Sequence, residues 1–102
     1  MSGNQIAAPV RCVAQVATPQ ARRYLTQLCK HFQHRRPVEL TEDTGSIAFD
    51  GGRCEVQAEA GMLTLTLDAE DDAHRQVLQD VVARHLLRFA FREDMQIAWR
   101  TA

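Results

Sequence analysis

A net excess of either charge is missing from this sequence: 12 lysines and arginines face 13 aspartates and glutamates, for a formal net charge of −1. No long-range field therefore draws in nucleic acid or an anionic membrane. The two signs are mixed along the chain, with no like-charged block of the kind that forms a binding tail. Long hydrophobic runs are absent too, and none approaches the roughly 20 residues of a membrane span. The N-terminus lacks the basic-then-apolar pattern of a secretory signal. Cysteine is scarce and its count of three is odd, which fits free thiols in a reducing compartment, so a cytoplasmic location is expected. There is no Gly-x-Ser-x-Gly elbow, no phosphate-cradling glycine loop and no dinucleotide fingerprint.

What is present is ordinary globular material. Apolar residues make up 45% of the 102 and charged residues 25%. A chain of this length buries roughly 65% of its unfolded surface, enough for one core without staples. Residues 1–9 hold few anchoring side chains and are expected to fray, leaving a single α+β domain over residues 10–102.

Periodicity divides that domain. Val10 to Val16 alternates, with Cys12, Ala14 and Val16 on one side, and reads as a half-buried strand. Thr18 is expected to cap a helix whose first position is Pro19. That helix runs to about Arg35, because Pro37 disfavours helical geometry at Arg36. Its apolar stripe is Ala21, Leu25, Leu28 and Phe32, with Tyr24 and Cys29 on the flanks. Val38–Thr41 is a short strand, and Ile47 and Phe49 belong to the next. Cys54, Val56 and Ala58 alternate with polar residues, Ala60-Gly61 marks a hairpin, and Leu63, Leu65 and Leu67 alternate again.

A second helix is expected from a cap at Asp68 to about Phe91, with Val77, Leu78, Val81, Val82, Leu86 and Phe89 on its apolar face. Met95 to Arg100 reads as a last strand with Ile97 and Trp99 inward. The predicted fold is α+β in the order β-α-β-β-β-β-α-β. Two helices cover one face of a mainly antiparallel sheet of five to six strands, because strict alternation gives each strand one wet and one dry face.

The densest chemical cluster is Cys29-Lys30-His31-Phe32-Gln33-His34. Cys29 and His31 project about 160° apart on a helix and cannot share an ion, whereas His31 and His34 are one turn apart and can. His31 and His34 are therefore the candidate metal ligands, although their spacing matches no established motif. His85 falls on the apolar face between Val81 and Phe89, where a polar ring needs a hydrogen-bond partner. It is either a satisfied core histidine or the wall of a pocket. Arg88, Arg92 and Glu93 surround the end of the same helix among Phe89 and Phe91, and arginine beside aromatics can grip a planar anion. With Tyr24, these make His85, Arg88, Arg92 and Glu93 the candidate ligand-binding set.

The same segments resemble a bacterial family, domain of unknown function 2218. The resemblance rests on Ala17-Thr18-Pro19 leading into Arg23-Tyr24-Leu25, then Leu28-Cys29-Lys30-His31-Phe32 with His34. It continues at Gly52-Arg53-Cys54 and ends at His85-Leu86 with Arg88-Phe89-Ala90-Phe91-Arg92-Glu93. It covers about Val10 to Trp99. The family carries no established activity, so the resemblance implies lineage rather than a reaction. It also implies a tie to iron acquisition, since related domains occur near or joined to siderophore-interacting flavoprotein reductases.

The residues point first to a non-catalytic accessory domain that binds a small molecule or a partner protein near the histidine-bearing helix ends. The alternatives are a metal-binding protein using His31 and His34, and a small enzyme with His85 as base and Arg92 holding an anionic substrate. No organic cofactor is expected, a metal ion stays open, and so does a homodimer. Neither nucleic acid nor membrane is an expected partner.

Overall fold

The computed structural model describes residues 9–102, so the expected frayed segment at 1–9 lies, but for Pro9, outside the described residues. Eight elements follow one another: β1 (Val10–Ala17), α1 (Ala21–Phe32), β2 (Val38–Leu40), β3 (Thr44–Phe49), β4 (Gly52–Glu59), β5 (Met62–Ala69), α2 (Asp72–Phe89) and β6 (Arg100–Thr101). The strands form one six-stranded sheet in the order β2-β3-β4-β5-β1-β6, with every pair antiparallel.

Register explains why one face is dry. Cys12 lies opposite Leu67, Leu67 opposite Cys54, Cys54 opposite Ile47, and Ile47 opposite Val38. The next inward row is Ala14, Leu65, Val56, Gly45 and Leu40. All of these but the edge residues Val38 and Leu40 are buried. Both helices lie over these rows and contribute Leu25, Leu28, Cys29, Leu78, Val82 and Leu86 to the same core. The rows between carry Arg11, Arg53, Glu55, Gln57, Thr64, Thr66 and Asp68 on the uncovered face. Gly45 is buried within an inward row because α1 passes directly above it. A Cβ there would collide with Cys29 Sγ and Leu25 Cδ1.

Both ends of each helix differ from expectation. Thr18 does not cap α1. Its hydroxyl accepts the Gln20 N–H at 3.1 Å and donates to the Glu93 carboxylate at 2.9 Å, so Pro19 and Gln20 form a turn and the helix begins at Ala21. The far end stops at Phe32 rather than Arg35. The Arg35 and Arg36 N–H groups both reach back to the Phe32 carbonyl, and this tight turn hands the chain to Pro37. Asp68 does not cap α2 either. It stays in β5, held by Arg11 at 2.6 and 3.0 Å, and Asp71 is the cap, accepting the His74 N–H at 2.8 Å. α2 ends at Phe89, two residues before the expected end.

The predicted last strand shrinks to Arg100–Thr101, which pairs with Val13 and Cys12. Met95, Ile97 and Trp99 still pack against the core as alternating residues. Alternation reports which side of a segment is covered, and it is silent on whether a neighbour offers backbone partners. No helix among the described residues is long and apolar enough to cross a membrane.

Candidate functional site

The last turn of α1, the outer side of α2 and the β3–β4 hairpin converge on an open groove of about 670 Å³. α1 and the turn after it contribute His31, Phe32, His34, Arg35 and Arg36, and the hairpin contributes Phe49 and Asp50. α2 contributes His74, Val77, Val81 and His85, which recur at three- and four-residue steps and so form one stripe along the helix, and the edge of Leu78 at the groove floor. Leu78, Val82 and Leu86, on the next face round, are the buried side of α2. His85 therefore sits at the border of the core and not at the centre of the apolar face.

Rings make the inner wall. The His31 and His85 ring centroids are 4.7 Å apart and tilted by 42°. Phe32 lies 4.9 Å from His85 and 5.1 Å from Phe49, the latter edge-to-face at 82°. Phe89 closes the row 5.7 Å from His31. Such edge-to-face contacts follow the ring quadrupole and add to the apolar burial.

The partner that His85 needs is the Val81 carbonyl, 2.6 Å from its Nδ1. A carbonyl only accepts, so Nδ1 carries a proton and donates it to this bond. His85 is half-buried and lines the groove, so it is bonded to backbone without being sealed in the core. The His31 imidazolium is held below its ordinary range, first by partial desolvation and then by the charges of His85, Arg88, His34 and Arg35. His74 is shifted the opposite way, because its Nδ1 bonds Asp71 Oδ1 at 2.7 Å. Its ring rests over the hairpin turn at Gly51, whose φ of +81° only glycine adopts freely.

The sequence-derived candidates divide into separate places. His31, His34 and His85 meet in the groove, whereas Arg88 and Arg92 do not line it. Arg92 instead lies over the Phe91 ring, 5.4 Å from its centroid. Arg88 is exposed and acts on the groove only through its charge at His31. Tyr24 is buried, and its hydroxyl donates to Glu93, the acceptor for Thr18 as well. Glu93 is thus occupied in tying the C-terminal segment to the start of α1. Arg92, the partner expected for His85 in an enzyme, does not line the groove that His85 lines.

Sequence reasoning missed Arg36, Phe49, Asp50 and His74. His74 carried a signal, since it extends the Val77, Val81, His85 spacing by one turn. The hairpin residues carried none, because only the strand order brings that turn beside α2. Among the described residues no group of three or more His, Cys, Asp and Glu side chains is placed to hold a metal ion. Cys12, Cys29 and Cys54 are free and buried. Burial pushes the Cys29 thiol up to about 11 and raises that of Cys54 as well.

These features define a two-layer α+β domain with a ligand-sized, ring-lined groove at the end of its helical layer. The chain belongs to the family described as an uncharacterized protein conserved in bacteria, DUF2218, whose model matches residues 13–100. Among solved structures it is similar to the NMR structure of PA4090 from Pseudomonas aeruginosa, with 38% identity over 89% of this chain and 95% of that one and a TM-score of 0.76. Among curated proteins no relative matches the chain.

Proposed function

We propose that this domain is a non-catalytic binding module of the bacterial cytoplasm, and that it holds a small organic molecule in the groove between α1, α2 and the β3–β4 hairpin. The observation that carries the reading is the convergence of four rings, Phe32, Phe49, His31 and His85, on a concave space of about 670 Å³. That volume falls within the roughly 300–1,000 Å³ of small-molecule sites, and the mix of apolar wall with a few polar groups is the usual lining. Rings packed edge against face are held in place before any ligand arrives, which lowers the ordering cost of binding. The tie to iron acquisition rests on the family resemblance alone.

Thermal unfolding against a library of small aromatic and aliphatic compounds tests the reading. A ligand present at 100 times its Kd adds about 2.7 kcal/mol to the native state. In a domain this size that raises Tm by roughly 10–20 °C. Val77→Glu puts a negative charge into the groove at an exposed position and is expected to abolish the shift without unfolding the protein. If no compound moves Tm, or if Val77→Glu leaves every shift intact, the groove is not the binding site.

A second reading, metal binding, draws on the close approach of His31 to His85 and on His34 in the same groove. Elemental analysis of tag-free protein decides it. Sub-stoichiometric metal that is unchanged in the His31→Ala/His34→Ala double variant removes the idea.

A further inference from the structure

We infer that the groove takes a planar aromatic carboxylate, its ring among Phe32, Phe49 and His85 and its carboxylate on Arg36, in the place that Asp50 now occupies. This rests on the binding reading above and adds the chemistry of the ligand.

Arg36 is the anchor. Its guanidinium carbon lies 5.9 Å from the centroid of the Phe49 ring, so the side chain is steered along the groove wall. Its ion-pair partner among the described residues is Asp50, whose nearest oxygen lies 3.2 Å from the guanidinium. Asp50 reaches it with a side chain that is 94% exposed. A pair of that kind is weak, because the carboxylate keeps most of its water and its freedom. Asp50 thereby marks where an incoming carboxylate can sit and offers little resistance to exchange.

Charge balance at the rim has the same sense. Arg35 and Arg36 line the groove against one carboxylate, Asp50, and Arg35 makes no ion pair among the described residues. His74, when protonated, is matched by Asp71, the cap of its own helix. The rim therefore favours a single negative group and opposes a cation. A guanidinium meets a carboxylate through two parallel N–H donors, a geometry that a neutral hydroxyl cannot match. The remaining walls are rings and the valines and Leu78 of α2, which suit a flat apolar body and give a polyphosphate no cradle of backbone donors.

Amide chemical-shift mapping of the full chain with three isosteric probes, naphthoate, naphthylmethanol and naphthylmethylamine, tests the inference. Naphthoate is expected to shift residues around the groove and to bind about tenfold more tightly than the alcohol, with the amine weakest. Arg36→Gln should weaken naphthoate by about tenfold and leave the alcohol within about twofold, which a merely structural role of Arg36 would not do. Asp50→Asn should tighten naphthoate by about two- to fivefold, because the competing carboxylate is gone. Equal binding of acid and alcohol, or an Arg36→Gln variant that keeps full naphthoate affinity, overturns the carboxylate assignment and leaves the groove reading standing. Shifts confined to residues outside the groove, or no shifts from any probe, overturn both.

Discussion

Gly51 offers a sharp test of how the groove is built, because two independent costs meet at one atom. Its φ of +81° lies in the left-handed region, where an alanine costs about 1–2 kcal/mol. A Cβ at the same position would also collide with the His74 ring. That ring is 43% exposed and can swing outward, so relieving the collision costs about 1 kcal/mol rather than the larger figure of a sealed core. Gly51→Ala is therefore expected to cost about 2–3 kcal/mol, a fall in Tm of roughly 10–20 °C at this chain length. In a His74→Ala background only the backbone term survives, and the same substitution should cost about 1–2 kcal/mol. Urea unfolding of the four proteins in the cycle measures the coupling directly. Equal costs in both backgrounds would refute the seating of His74 on the turn. A cost under about 0.5 kcal/mol in either would refute the left-handed geometry.

Other outcomes follow from burial and charge. Leu65→Ala, at the centre of the sheet and fully buried, should cost about 2–5 kcal/mol, whereas Val77→Ala, at 60% exposure, should stay within about 0.5 kcal/mol by urea unfolding. The Asp71–His74 cap has a pH window. The raised His74 value gives stability that is full below about 6.5 and is lost as pH rises through it, and the lowered Asp71 value gives stability that is lost as pH falls below about 4. The Tm difference between the protein and Asp71→Asn should therefore be greatest between those limits and shrink toward pH 8, and a difference that grows from pH 6 to 8 contradicts this. The buried thiols should resist alkylation at pH 8 in the native state and react once urea unfolds the chain, and fast labelling of Cys29 or Cys54 in the folded protein would contradict their raised values.

The layers were legible because strand alternation in Cys12–Val16, Cys54–Ala58 and Leu63–Leu67 records a sheet with one dry face. Element ends were less so, because a hydroxyl or carboxylate has several uses and spacing does not say which one wins. Thr18 is claimed by Glu93 from 75 residues away, and Asp68 by Arg11 from 57. Both are tertiary events with no local trace. The groove was half legible. His31, His34 and His85 stood out as polar residues beside apolar stripes, but Arg36, Phe49 and Asp50 reach them only through the order of strands. Arg92 and Glu93 misled because adjacency in sequence past the end of α2 sends one side chain onto Phe91 and the other toward Tyr24.

α2 presents two neighbouring stripes, one locked into the sheet by Leu78, Val82 and Leu86 and the other facing the groove. The helix cannot roll to enlarge the opening without dragging those leucines out of their sockets. Whatever enters meets a wall of fixed dimensions on that side, and adaptation falls to the turn after α1 and to the hairpin. Selectivity by shape should therefore come from the helix, and tolerance for differing head groups from the two loops facing it.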